Sequence, residues 1–257
     1  MFETILLSFV QSLTEFLPVS SSGHLVLLKA FGISHQTLLM DLTLHLGTLL
    51  AVLFYFWKDI RNLLLKSWHV GFEQSLTLKL IVATLPTCLA GFLLIKHVES
   101  LFHTPKVIAI TSIVFGILLW LSDSLNKRNK PLKKISYKDA FVIGCFQILA
   151  LVPGTSRSGI TITAARFLGI NRPDSAKFSM LLSIPTIAAG GLFAFIQAIK
   201  SPQHLSVLPL LLGGGLSAIF GLFAISFLMK WVQKASFAIF AIYRLILGGL
   251  LLFLFWL

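Results

Sequence analysis

Charge is what this sequence has least of. Only 12% of its 257 residues are Asp, Glu, Lys or Arg, against 56% hydrophobic residues, and the mean hydropathy is +0.92. Soluble domains carry about 25% charged residues, so this chain has too little polar surface to cover itself in water. A soluble globular protein is excluded and an integral membrane protein is expected. Cysteine is nearly missing too. Cys88 and Cys145 both lie in apolar runs, which argues against a disulfide frame or a cysteine metal site and predicts two packing residues. No basic segment precedes the first apolar stretch: Glu3 stands there, and the first basic residue is Lys29. A cleaved signal peptide is therefore not expected, and the whole chain is read as mature protein. Acidic residues are scarcer than basic ones, 9 against 21, giving a net charge of +12. That excess does not point to nucleic acid, because the basic residues cluster in short loops between apolar runs, as topology determinants do.

What the sequence has is apolar length. Runs without Asp, Glu, Lys or Arg cover Leu42–Trp57, Leu80–Ile95, Val107–Ser122, Phe178–Ile199 and Leu205–Met229, and a sixth, Ala235–Leu257, is interrupted only by Arg244. A spanning helix needs about 20 apolar residues, and snorkelling ends such as Lys58, Lys79, Lys96 and Lys106 extend the shorter runs. Six crossings are predicted. Two further apolar stretches, residues 5–28 and 140–165, are broken by proline followed by small polar residues, which stops a helix. Bare backbone at membrane depth is tolerated only where protein or a wet cavity covers it. Both stretches are therefore predicted to be re-entrant helix hairpins lining a cavity. Shifted by 136 positions, Gln11 meets Gln147, Ser20 meets Ser156, Ser22 meets Ser158 and Gly23 meets Gly159.

The expected fold is an all-α polytopic membrane protein with six transmembrane helices plus two re-entrant hairpins in an inverted-topology repeat. It forms one membrane domain, 1–257, with halves at approximately 1–124 and 138–257 joined by a basic loop, 123–139. That loop holds Lys127, Arg128, Lys130, Lys133, Lys134 and Lys138 and is expected in the cytoplasm. Counting outward, Lys58, Arg61, Lys66, Lys230 and Lys234 are cytoplasmic, the hairpins enter from opposite sides, and both termini lie outside. Broken helices meeting near the midplane of such a repeat are where these proteins place their sites.

Few ionisable groups interrupt the apolar stretches. Glu15 is the one carboxylate well inside such a stretch, four residues after Gln11 and so on the same helical face. A buried carboxylate there calls for a partner or a function. It is a candidate proton acceptor or an oxygen ligand to a divalent cation. One carboxylate is too few for an all-protein metal cage, whereas magnesium bridged to substrate phosphates fits. Ser20, Ser21, Ser22, Gly23 and His24 offer hydroxyls, a glycine where backbone can approach a ligand, and an imidazole. Pro153, Gly154, Thr155, Ser156, Arg157, Ser158, Gly159, Ile160 and Thr161 read as an anion cradle. Its glycines permit nest-like turns, its arginine grips phosphate oxygens, and a helix starting after Ser158 adds a positive dipole end. Other polar positions carry less. His45 lies within a span as a helix–helix hydrogen-bonding residue, Arg244 reaches either the cavity or the surface, and His69, His97, His103 and His204 are read as loop residues. Pro86 and Pro185 are expected kinks, and Gly213–Gly214–Gly215 a close helix contact.

These residues carry a resemblance. Gln11–Ser–Leu–Thr–Glu15–Phe–Leu–Pro–Val–Ser–Ser–Ser–Gly–His24 resembles the (E/Q)xxxE-FLPVSS(S/T)GH segment of bacterial undecaprenyl-diphosphate phosphatases, also called bacitracin-resistance proteins. Residues Pro153 to Thr161 match that family's PGxSRSxxT motif, and Phe240–Ala241–Ile242–Tyr243–Arg244 extends the likeness towards the C-terminus. The resemblance implies a bacterial inner-membrane hydrolase that removes the terminal phosphate from undecaprenyl diphosphate, regenerating the lipid carrier for the cell wall, with bacitracin tolerance as a consequence. It implies catalytic positions at Glu15, Ser21, His24 and Arg157. Substrate contacts are expected from Gln11, Ser20, Ser22, Gly23, Gly154, Thr155, Ser156, Ser158 and Thr161. The implied cofactor is a divalent cation, Mg2+ or Ca2+, held largely by substrate phosphates with Glu15 as the protein ligand. The partners are a polyprenyl diphosphate lipid and the membrane, with a homodimer as a candidate assembly.

On this reading Ser21 or a water attacks, Glu15 and His24 manage protons, and Arg157 stabilises the phosphoryl charge. Two rivals exist. The type-2 phosphatidic acid phosphatases share Ser-Gly-His and Ser-Arg fragments, but they need a second histidine after the arginine, and residues 158–170 contain neither His nor Asp. A lipid-carrier transporter would also use broken helices in an inverted repeat.

Overall fold

The structure is a computed structural model that describes residues 1–33, 37–66, 75–102, 104–125, 129–200 and 207–256. The described chain is all-helical and contains eleven α-helices. Six are long and apolar enough to cross a membrane: α3 (Leu38–Tyr55), α5 (Leu76–Phe102), α6 (Pro105–Leu125), α9 (Arg172–Lys200), α10 (Val207–Lys234) and α11 (Ala238–Trp256). They coincide with the six apolar runs, and α3, α5, α6 and α9 start before theirs, because a charge at the end of a run does not stop a helix. Asp41 sits in the first turn of α3, where the helix dipole favours an anion, and the Thr37 hydroxyl caps that turn by accepting from Met40 N at 3.2 Å.

The other helices are short: α1 (Phe2–Phe16), α2 (Ser21–Ala30), α4 (Trp57–Lys66), α7 (Tyr137–Ile148) and α8 (Arg157–Phe167). At 15, 10, 12 and 11 residues, α1, α2, α7 and α8 all fall below the length needed to span. Local chemistry explains their ends. Leu17 precedes Pro18 and is extended, with φ −70° and ψ 143°, as the residue before a proline tends to be. Ser136 and Asp139 form a reciprocal capping box that starts α7. The helix expected to start after Ser158 begins instead at Arg157, because the Ser156 hydroxyl accepts from Gly159 N at 3.2 Å and makes Ser156 the cap. Pro86 and Pro185 lie inside α5 and α9.

Small residues let the long helices approach closely. A Cβ on Gly47 of α3 would collide with Gly214 O and stand 2.6 Å from Ser217 Cβ on α10. On Gly248 of α11 it would lie 2.8 Å from Ala109 O of α6. Gly213 and Gly214 serve the contact expected of the glycine triplet, whereas Gly215 has nothing within 4 Å. His97 lies inside α5, not in a loop. His69, His103, His204, Lys127, Arg128 and the Ser22 side chain lie outside the described residues.

The segment joining the two halves of the chain is pinned to the turn between α8 and α9. Lys130 N donates to Gly169 O at 2.9 Å, Asn171 N to Lys130 O at 3.0 Å, and Leu132 N to the Asp174 carboxylate at 2.8 Å. Burial opposes the charge on Asp139, but Lys130 Nζ at 2.5 Å and the Ser136 N–H and hydroxyl hold its carboxyl below the ordinary carboxylate range. Beneath this segment Asp123 joins three elements. It accepts from Arg166 Nε and Arg172 Nε, both at 2.8 Å, and from Phe237 N at 3.0 Å. Asp123 and Arg166 are both buried, and breaking such a pair costs about 3–5 kcal/mol, because one charge is left uncompensated. Asp123→Ala should therefore lower the thermal midpoint of the detergent-solubilised protein clearly. A midpoint equal to wild type would show that this junction holds nothing together.

Candidate active site

Two polar turns meet inside the helical bundle. Each precedes a short helix, and each turns on a serine with positive φ: Ser20 at 78° and Ser156 at 68°. Among the described residues these are the two non-glycine positions in that region. Such backbone costs about 1–3 kcal/mol and persists where surrounding structure over-determines it, often at functional sites. Here the Ser158 hydroxyl donates to Leu17 O at 3.1 Å and ties the second turn to the first. Gly154, with φ +89°, cannot be replaced without strain, and a Cβ there would also collide with the Thr111 hydroxyl. That hydroxyl donates to Pro153 O at 2.7 Å.

The turns bring together the two charges that the sequence places 142 positions apart. Arg157 Nη2 donates to Glu15 Oε1 at 2.8 Å, and Nη1 donates to Ser179 O at 3.1 Å. Both side chains are nearly buried, 12% and 11% exposed. The second carboxylate oxygen faces Gln11, whose Nε2 lies 3.4 Å away and also 3.1 Å from His45 Nε2. The other ring nitrogen of His45 is 2.8 Å from Asp41 O. A carbonyl only accepts, so Nδ1 carries the hydrogen and Nε2 accepts from the Gln11 amide. His45 thus belongs to the site, 3.8 Å from Glu15. The only sequence signal for it was an imidazole in an otherwise apolar helix.

The Glu15–Arg157 pair separates two cavities. One, of about 230 Å³, is lined by the pair together with Ser20, Ser21, Gly154 and Ser156. The other, of about 350 Å³, is lined by the pair with Asp41, His45, Thr186 and Gly190. The first presents hydroxyls, a strained turn and a guanidinium to one small space, an arrangement suited to an oxyanion.

Known proteins resemble this chain along nearly its whole length. The family model described as bacitracin resistance protein BacA matches residues 4–250. An undecaprenyl-diphosphatase of Desulforudis audaxviator is 45% identical over 250 residues, covering 96% of this chain and 95% of its own. Undecaprenyl-diphosphatases of Gemmatimonas aurantiaca and Alteromonas mediterranea are each 42% identical, covering 96% and 98% of this chain and 94% and 97% of their own. The chain belongs to the BacA family.

In this BacA-family chain the remaining candidate residues divide by position. Gln11 is buried against Glu15 and His45, and Ser20 and Ser21 line the smaller cavity beside Gly154 and Ser156. Thr155, Ser158 and Thr161 are buried behind its wall. The Thr161 hydroxyl pairs with the Ser179 hydroxyl at 2.7 Å. Gly23 packs outward: a Cβ there would lie 3.1 Å from Leu247 Cδ2, so its smallness serves a helix contact, not a ligand. His24 does not line either cavity. Its Nδ1 lies 2.7 Å from Ser20 O and its Nε2 2.6 Å from the Tyr243 hydroxyl. The carbonyl again fixes the tautomer, and the phenol donates to Nε2.

Arg244, whose place the sequence left open, is fully buried under the second turn. Its guanidinium donates to Thr155 O and Gly154 O, both at 2.8 Å, to Ser112 O at 3.2 Å and to Thr111 O at 3.4 Å. Gly159 makes room for it, since a Cβ there would stand 2.8 Å from Nη1. One cation therefore shapes the turn from below, and Arg157 presents another at its edge. A resident metal has less to hold it. Among the described residues no group of three or more His, Cys, Asp or Glu comes together, and both oxygens of Glu15 already face donors. Glu15 is the one carboxylate lining the hydroxyl-lined cavity, a donor set that suits a cation carried mainly by phosphate oxygens.

Arg244→Met removes the donor from four backbone carbonyls, and leaving buried acceptors unpaired costs about 1–3 kcal/mol each. Its thermal midpoint in detergent should fall well below wild type, with Arg244→Lys intermediate. Equal midpoints for all three proteins would contradict the assigned role.

Proposed function

We propose that this chain hydrolyses undecaprenyl diphosphate to undecaprenyl phosphate and inorganic phosphate, recycling the lipid carrier for cell-wall synthesis. The observation that carries the reading is the Glu15–Arg157 pair at the wall of a small hydroxyl-lined cavity inside a membrane protein. An anionic head needs neutralisation and positioned donors, and its polyprenyl tail needs the bilayer. The whole-length likeness to proteins named undecaprenyl-diphosphatase supports the same substrate.

On this proposal, catalysis is positioning plus stabilisation of charge spread over the phosphoryl oxygens. Arg157 commits two N–H groups to Glu15 and Ser179, which leaves most of its donors for the terminal phosphate. The Ser21 hydroxyl lines the same cavity, and it attacks the terminal phosphorus. The bond to the bridging oxygen breaks, and undecaprenyl phosphate leaves. Glu15 takes the serine proton as Arg157 turns towards phosphate. A water then splits the phosphoserine: its oxygen bonds to phosphorus, the bond to the serine oxygen breaks, Glu15 returns the proton to that oxygen, and inorganic phosphate leaves with the hydrogens of the water. His24 is a positioning residue here, holding Ser20 O and thereby the turn that carries Ser21. A divalent cation, Mg2+ or Ca2+, supplies further charge neutralisation when bound.

The proposed setting is the bacterial inner membrane, with the site opening to the external side and both termini outside. The excess of Lys and Arg in residues 123–139 supports that orientation. Two re-entrant hairpins, α1–α2 and α7–α8, form corresponding parts of an inverted repeat. Supporting this are their sub-spanning lengths and the positive φ shared by Ser20 and Ser156, which are 136 positions apart.

Phosphate release from a polyprenyl diphosphate by purified protein tests the proposal. Arg157→Ala is expected to lower kcat/KM by about 10²–10³-fold, the usual loss for a transition-state donor. Retained turnover in well-folded Arg157→Ala protein would overturn it.

A further inference from the structure

A third cavity, of about 300 Å³, lies between α5 and α9 and plays no part in the chemistry above. It shares walls with the polar site. Thr186 and Gly190 line both this cavity and the one containing Glu15, His45 and Arg157, and Leu151 lines both this cavity and the one containing Ser21. Its outer flank carries Phe92 and Phe193, which are 83% and 44% exposed on the bundle surface. One side therefore shares its wall with the cavities at the ion pair, and the other reaches the bundle surface.

The cavity is apolar by construction. Its two threonines spend their hydroxyls elsewhere. Thr87 Oγ1 donates to Gly144 O at 3.2 Å, and Thr186 Oγ1 donates to Leu182 O at 2.8 Å. Both hydroxyls also accept from the buried Gln147 Nε2, at 3.0 and 3.3 Å. Gln147 thus holds two hydroxyls away from the space and leaves it without a free donor. The glycines on its walls are not needed by the fold. A Cβ on Gly190 would meet nothing within 4 Å, and one on Gly91 would meet only Leu151 Cδ2 at 3.9 Å. Elsewhere in this protein, glycines such as Gly47 and Gly144 are glycine because backbone of another helix presses on them. At Gly91 and Gly190 the space is kept open.

We infer that the cleft between α5 and α9 is the seat of the lipid's tail, holding the isoprene units nearest the diphosphate while the rest passes between Phe92 and Phe193 into the bilayer. This rests on the proposed function and adds to it the route by which the tail leaves the site. The chemistry fits at each end, with anion donors around Arg157 and a smooth apolar channel leading away. An apolar pocket beside a few convergent polar groups is the usual form of a site for such an amphiphile.

Gly91→Leu tests it, because Gly91 lines only the apolar cavity and a Cβ there meets no backbone within 4 Å. The expected result is a KM for undecaprenyl diphosphate raised about tenfold or more, on the scale of a few methylenes lost or gained in a pocket. The inhibition constant of inorganic diphosphate, which occupies the head site only, should stay within about twofold of wild type. Unchanged KM, or an equal rise in both constants, would overturn the inference.

A second measurement uses Cys88, which lines the same cavity. Polyprenyl monophosphate should protect Cys88 from alkylation by a membrane-permeant maleimide, inorganic diphosphate should not, and Cys145 should react equally in both. Absence of that protection would also overturn it. The protection assay needs no turnover. A wild-type protein that releases no phosphate therefore counts against the proposed function, while the Cys88 result still decides the tail site.

Discussion

One ion pair organises this molecule. Glu15 stands at the end of the helix before the first polar turn, Arg157 opens the helix after the second, and they meet at 2.8 Å, with the Ser158–Leu17 bond at 3.1 Å beside them. Placing a carboxylate and a guanidinium within an apolar bundle is costly, and each makes the other tolerable. Neighbouring bonds then follow. Gln11 orients the free carboxylate oxygen, His45 takes the remaining Gln11 hydrogen, and Ser179 O steadies the guanidinium. The Ser158–Leu17 bond keeps the turns in register. A pair so placed is also easily diverted, because an entering anion competes for the same guanidinium.

Positions 136 apart show how the two turns differ. Ser20 and Ser156 share the same unusual backbone, but the position matching Glu15 is Leu151, on the wall of the apolar cavity. Gln11 faces a carboxylate and an imidazole, whereas Gln147 faces two threonine hydroxyls and withdraws them from solvent-accessible space. One glutamine serves the charged end of the site and the other keeps the greasy end greasy.

Much of this was legible in the sequence, and for identifiable reasons. Six apolar runs reach the scale of a bilayer once their lysine ends are counted, and Pro18 and Pro153, each close to a run of Ser, Thr and Gly, mark the ends of helices too short to span. Glu15 and Arg157 stood out because ionisable groups in such surroundings need partners. What the sequence did not disclose depends on which helix faces which. His45, Tyr243 and Ser179 reach the site or its supports from distant helices, and a lone imidazole or phenol in an apolar run looks the same whichever way it points. Arg244 was visible as an interruption, but only the fold reveals the four carbonyls around it. The reverse also holds: Thr155, Ser158 and Thr161 share a motif with Arg157, yet the fold buries them in the protein.

The central claim is that Glu15 and Arg157 act as one unit. A double-mutant cycle of Glu15→Gln and Arg157→Gln, read as kcat/KM for polyprenyl diphosphate hydrolysis, measures that directly. The account predicts that the double variant is no worse than the poorer single variant. Losses that multiply across the cycle would mean that the two groups work independently, and would contradict it.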